Sequence, residues 1–307
     1  MANAPQYIDQ GLTNVANAYV NPDTSFIANL LMPTVPVKTR TFLVPQINFD
    51  LQVPKNSLRT GASKAKKVSF TTEFKPAAPL LEHSLSDDVY QDDYAQTDDP
   101  FKPESDAVEN IMHKLQLIDE AEMAGVVTNT SVITNNRTLS GTAQWNDANS
   151  TPIQDILTGI KARGFRQFNT IAMSYQTFFA IVTHPSVLEI YKYAVGGTVT
   201  KDQLLNLFRP YGIENLFVGD ARYDTSVEGL APTFAPVWGK DVVLAYVTPR
   251  PGLKEINGGY KFQLDGGRFV TREEKKNQLL TEIVAHDYYN YQILMPEAFY
   301  LIKNAVA

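Results

Sequence analysis

The chain has 307 residues, a net charge of −6, 44% apolar and 20% charged residues, and no cysteine. That length supports a large core in one or two domains. The lack of cysteine excludes disulfides, thiolate metal sites and cysteine nucleophiles, and suits a protein made in a reducing cytoplasm. The acidic balance argues against a dedicated nucleic-acid reader, which is basic as a rule. No apolar run approaches the roughly 20 residues of a membrane helix, and the start MANAPQYIDQGLTN carries no signal-peptide pattern.

Residues 1–21 are rich in Asn, Ala and Gln without a sustained apolar period, and predict a mobile tail or an arm ordered only by a neighbour. Asn21-Pro22-Asp23-Thr24 is expected to cap a short helix bearing Phe26, Ile27, Leu30 and Leu31, stopped by Met32-Pro33. Residues 33–79 hold repeated prolines between two β-patterned runs, Thr41–Val44 and Lys67–Phe74. The intervening NSLRTGASKAKK is small, polar and basic, with Arg59, Gly61, Lys64, Lys66 and Lys67. This predicts a long two-stranded excursion with a basic tip. A lone hairpin is marginal in water, so it needs another surface to lie on, such as a second subunit.

Pro79–Leu85 reads as a core strand. Asp87, Asp88, Asp92, Asp93, Asp98 and Asp99 then cluster. They are expected to form a solvated acidic loop; a cation-binding or basic-partner surface is the alternative, although the spacing is not that of a calcium loop. Pro103–Val127 is the longest stretch of clean helical periodicity, with Val108, Ile111, Leu115 and Ile118 on one face beside Met112. Pro in its first turn and acids at its start favour a helix beginning there. Its acids Asp119, Glu120 and Glu122 are expected on a solvated face.

Beyond it, helices are predicted at 153–164, 175–183, from 184 through VLEIYKYA, and at 200–209. Strands are predicted at 169–174, 214–219 and 241–247, then at 260–264, 268–271, 281–294 and 298–302. Strands interleaved with helices, followed by returning strands, make an α+β or mixed α/β architecture. Sequence motifs for hydrolytic nucleophiles, zinc proteases, phosphate loops and dinucleotides are missing. No catalytic, cofactor or metal residue is assigned, and His83, His113, His184 and His286 are read as structural, His184 as a helix cap before Pro185. Tyr288, Tyr289, Tyr291, Phe299 and Tyr300 are read as core or interface packing, with a base-stacking platform as the alternative.

Four segments then carry a resemblance: LSGTAQWNDANSTPIQDI, NTIAMSYQTFFAIVTHPSVLEIYKY, LLNLFRPYGIENLFVGDARY and VWGKDVVLAYVTP. Together with the closing EAFYLIKNAVA they resemble the major capsid proteins of tailed double-stranded-DNA phages. Tyr211-Gly212 stands where that family has Phe-Gly. The resemblance implies the HK-ninety-seven-type fold, with residues 1–32 as N-terminal arm, 38–76 as E-loop, 77–130 and 275–307 as peripheral (P) domain, and 131–274 as axial (A) domain. It further implies hexamers and pentamers closing into an icosahedral shell around packaged DNA, assembled in the host cytoplasm and located in the virion. Implied partners are other copies of the chain, scaffolding and portal proteins, and a decoration protein. No helical scaffolding segment precedes the arm, so a separate scaffolding protein is expected. On this reading Arg59, Gly61, Lys64, Lys66 and Lys67 meet Asp87, Asp88, Asp92 and Asp93 of a neighbour. An encapsulin-like compartment shell is the alternative, and an enzyme the remote one.

Overall fold

The structure, a computed structural model, describes residues 7–20, 25–47, 64, 72–96, 102–164, 166–192, 199–227, 229–252, 255 and 257–307. In chain order the elements are β1 (Tyr7–Ile8), α1 (Gln10–Ala18), α2 (Ala28–Leu31), β2 (Thr34–Val37), β3 (Leu43–Ile47), β4 (Thr72–Pro76), β5 (Leu81–Tyr90), α3 (Gln91–Gln96), α4 (Pro103–Val127) and β6 (Asn136–Thr138). They continue with α5 (Pro152–Lys161), β7 (Thr170–Ser174), α6 (Tyr175–Thr183), α7 (Pro185–Tyr191), α8 (Lys201–Phe208), β8 (Asn215–Gly219), β9 (Arg222–Asp224), β10 (Phe234–Pro236), β11 (Val242–Ala245), β12 (Gly259–Leu264), β13 (Phe269–Lys275), β14 (Leu280–Ile293) and β15 (Phe299–Lys303). This is the α+β architecture expected.

The 25-residue helix α4 is a rod of about 37 Å. Its buried stripe runs Val108, Ile111, Met112, Leu115, Asp119, Met123 and Val127, with Glu120 beside it. Ile118, expected on that stripe, is half-exposed instead. From Leu115 the 3.6-residue period returns to the same face at position 119, so the stripe runs through a carboxylate there.

A six-stranded sheet lies along α4, in the order β1-β13-β14-β12-β2, with β5 paired to β14. Residues 280–286 of β14 pair with both β13 and β5, so β5 is an edge strand. The core strand expected near Leu85 is therefore largely exposed, and Leu81 is open to solvent. The expected tail contains helix α1. Asp9 caps it by accepting from the Leu12 N–H at 2.9 Å, and Leu12 and Ala16 bury against α4 and β13. The Asn21–Thr24 cap lies outside the described residues.

The second sheet has five strands in the order β6-β15-β11-β7-β8. β7 and β11 are buried along their whole length, as the continuous apolar runs of central strands require. Alternate residues serve different cores. Ile171, Met173, Val242 and Leu244 face helices α5 to α8, whereas Ala172, Val243 and Ala245 face the C-terminal end of α4 and α2. The second of these cores also takes Tyr289, Tyr291, Phe299 and Leu301, and so joins the two sheets. The aromatic residues read as a possible stacking platform are thus interior.

The Pro-rich region forms the paired base β3–β4, with Leu43 opposite Pro76 and Pro45 opposite Phe74. Val44 turns into a core with Tyr260 and Phe262, while Leu43 and Phe74 point to solvent. A small hairpin, β9–β10, was not foreseen; its strands pair Tyr223 with Ala235 and expose Tyr223 and Phe234.

Candidate assembly surfaces and the framework behind them

Behind the surfaces lies a framework of buried polar ties. Glu120 is 1% exposed. It accepts from the Ile27 N–H at 2.9 Å, the Ala28 N–H at 2.8 Å and the Trp238 Nε1–H at 2.6 Å. It thus supplies the cap that Ile27, the residue starting the one-turn helix α2, cannot supply. Burial pushes its carboxyl above the ordinary carboxylate range, and the three donors offset this only in part. Next to it, Asp119 accepts from the Lys261 ammonium at 2.7 Å and from the Tyr291 hydroxyl at 2.7 Å. The Lys261 ammonium also sits 4.2 Å above the Tyr289 ring. The solvated acidic face expected on the long helix is therefore wrong for Asp119 and Glu120. Glu122 is half-exposed, with His83 Nδ1 3.4 Å from it; burial raises its carboxyl too, and His83 opposes that shift.

The segments that carried the resemblance form a second set of ties. Gln144 Nε2–H donates to the carbonyls of Asn304 and Val306, the Trp145 N–H donates to the Ala305 carbonyl, and Asn146 Oδ1 accepts from the Ala307 N–H. The Gln-Trp-Asn run thus clamps the last four residues. Trp145 Nε1–H donates to Asp155 at 3.0 Å, and Arg137 pairs with the other Asp155 oxygen at 2.8 Å. His184 caps α7 as expected, accepting from the Ser186 N–H at Nδ1, while its Nε2 lies 3.1 Å from Ser150 Oγ. Gly212 closes the turn after α8 at φ 91°, a conformation that suits glycine. A Cβ at Gly219 would collide with the Trp238 indole, so the Val-Gly-Asp-Ala and Trp-Gly-Lys segments need each other.

Of the residues predicted at subunit contacts, Arg59, Gly61, Lys66 and Lys67 lie outside the described residues, and Lys64 is exposed. Asp87 and Asp88 are at the end of strand β5, and Asp92 and Asp93 are in the first turn of α3, rather than in a loop. Asp87 accepts from Asn110 of α4 at 3.4 Å, and Asp93 from the Tyr90 N–H at 3.0 Å. With Asp106 they border an open groove of about 490 Å³. Among the described residues, no three His, Asp or Glu side chains converge as metal ligands, and no helix is long and apolar enough to cross a membrane. The Glu120 tie left no local sequence signal, because its partners lie 93 and 118 residues away.

No protein-family model matches the chain. Among solved structures, a phage-related protein from Bordetella bronchiseptica RB50 superposes with a TM-score of 0.76 at 24% identity, covering 98% of this chain and 99% of that one. The virus-like particle of Pyrococcus furiosus gives 0.57 at 12% identity over 95% and 96%. The capsid of the native GTA particle gives 0.56 at 13% identity over 93% and 91%. These likenesses define the class: the HK-ninety-seven-type α+β fold of phage capsids and related particles. In sequence the chain is 28% identical to the major capsid protein of Burkholderia phage BcepMu, over 97% of this chain and 96% of that protein. It is 30% identical to the major capsid protein of Pseudomonas phage JBD67, over 87% of this chain and 84% of that one. The chain belongs to the phage major capsid protein family. It is a structural protein of the virion, where many copies build the capsid, and both relatives favour this over an encapsulin shell.

Proposed function

We propose that the chain assembles as hexamers and pentamers into an icosahedral shell that encloses the double-stranded DNA genome of a tailed phage. In this reading residues 1–32 are the arm, 38–76 the E-loop, 77–130 and 275–307 the P domain and 131–274 the A domain. The observation that carries it is the β3–β4 base. Val44 anchors one face in the chain's own core, while Leu43 and Phe74 on the other face are exposed and find no cover among the described residues. A neighbouring subunit supplies that cover, and the basic tip with Arg59, Gly61, Lys64, Lys66 and Lys67 then meets Asp87, Asp88, Asp92 and Asp93 of another copy. Each exposed pair contributes only about 0–1 kcal/mol, but the contact repeats at every subunit. The net charge of −6 suits an inner wall that confines DNA without gripping it. A separate scaffolding protein, a portal and a decoration protein complete the assembly in the host cytoplasm, and the chain itself performs no catalysis.

The test is expression of the chain and of a variant lacking residues 56–67, followed by sedimentation, electron microscopy and the nucleic-acid absorbance ratio. The wild type gives closed shells, and the deletion gives folded capsomers that do not close. Shells of wild-type stability from the deletion would refute the assigned role of the loop, and failure of the wild type to form any shell would refute the assembly reading.

A further inference from the structure

Of the ion pairs among the described residues, Lys261–Asp119 is the one with both side chains less than a tenth exposed, at 4% and 8%. Lys261 comes from β12 and Asp119 from α4, 142 residues apart in the chain. The ammonium Nζ lies 2.7 Å from Asp119 Oδ2, and the carboxyl carbon is one bond beyond that oxygen. The Tyr289 and Tyr291 rings flank the ammonium at 4.2 and 5.8 Å. The other carboxyl oxygen, Oδ1, accepts from the Tyr291 hydroxyl at 2.7 Å. Burial, and the Asp119 charge after it, hold that phenol well above its ordinary range, so it stays a donor. A second carboxyl, that of Glu122, stands near enough for the charges of both Asp119 and Lys261 to act on it, whereas Glu120 is committed to its three donors. A buried ion pair is costly to keep desolvated, and a buried lysine gives up its proton more readily than one in water. An amide condensation needs these parts: an amine against a carboxyl, a donor on the oxygen that takes up charge, an acid to carry protons, and little water to reverse the step.

We propose that Lys261 and Asp119 join in an isopeptide bond within the chain. The ammonium passes a proton to Oδ2, and the neutral amine attacks Cγ. Negative charge gathers on Oδ1, under the Tyr291 hydroxyl. The Cγ–Oδ2 bond then breaks, and Oδ2 leaves as water with that first proton and a second that Glu122 relays from the nitrogen. Ammonium and carboxylate thus become one secondary amide and one water, with no change in oxidation state or net charge and no co-reactant. The event occurs once per chain, without turnover, and ties α4 covalently to the six-stranded sheet. It does not rest on the capsid reading, since every residue involved belongs to one chain.

The experiment is intact mass spectrometry of the denatured full chain, taken from unassembled protein and from particles, followed by protease mapping. The wild type is lighter than its sequence by one water and yields a branched peptide joining the segments around residues 119 and 261. K261M and D119A have their full sequence masses; the wild-type mass decides by itself should either variant fail to fold. At a fixed early time after refolding, the bonded fraction of E122Q and of Y291F is at least about tenfold below that of the wild type. A wild-type chain of full sequence mass in both samples would overturn the proposal, as would a lost water that maps to other residues. A bonded fraction in E122Q equal to the wild type's would overturn the role assigned to Glu122.

Discussion

Trp145 and Trp238 are the chain's two tryptophans, and each donates its indole N–H to a buried carboxylate, yet the two sites differ in charge and in reach. Asp155 receives Trp145 and the Arg137 guanidinium, all within a stretch of 19 residues, 137–155. Glu120 receives Trp238 and two backbone N–H groups from residues 27 and 28, and has no cation on it among the described residues. The first site is a neutralised local brace. The second is a carboxylate held by dipoles where residues 27 and 28, the long helix and the segment around Trp238 meet. A brace with a half-exposed cation is replaceable in part by water, whereas a buried anion that caps a helix and ties three distant segments is not.

The comparison breaks most sharply at Glu120→Ala. Three buried donors lose their acceptor, at about 1–3 kcal/mol each, so unassembled protein should lose roughly 3–9 kcal/mol of stability in urea denaturation. The segment around residue 27 should also become protease-sensitive. A loss under about 1 kcal/mol would mean that water or another group takes over the cap.

Glu120→Gln sharpens it through pH. Burial raises the folded carboxyl above its ordinary value of 4.5. Between 4.5 and that raised value the folded protein holds a proton that the unfolded chain has released, so this group's contribution to stability falls as pH rises through the window. The glutamine does not titrate. The stability of wild type relative to E120Q should therefore decline as pH rises above 4.5, by about 1.4 kcal/mol for each pH unit that the window spans. A difference that stays constant across the window would show that Glu120 titrates alike in both states.

The smallest effect is expected at Arg137→Ala. The Arg137 side chain is 45% exposed, and Asp155 keeps the Trp145 N–H, so the loss should be about 1 kcal/mol or less and should shrink at high salt. A loss as large as that of Glu120→Ala would remove the distinction between the two sites.

The long helix, the four strands after residue 258, the cap at His184 and the apolar strands β7 and β11 were all legible in the sequence. Each is dictated by a period or by a residue type within a few positions. The motif segments also gave the family, although the work of Gln144, Trp145 and Gly219 is not local: the first two hold residues 304–306 and the third makes room for Trp238. Tertiary structure decided what periodicity cannot encode. α1 is capped by its own Asp9, but its short apolar face becomes a helix face only where Leu12 and Ala16 meet α4 and β13. β5 is an edge strand because β14 offers its second edge and no further strand follows on the other side of β5 among the described residues. Asp119 and Glu120 look like a solvated pair until Lys261, Tyr291, Trp238 and the amides of Ile27 and Ala28 arrive from more than 90 residues away. A charged residue is read as exposed on solvation grounds, and only a partner brought by the fold can reverse that, since burial of a carboxylate is tolerated only when donors surround it.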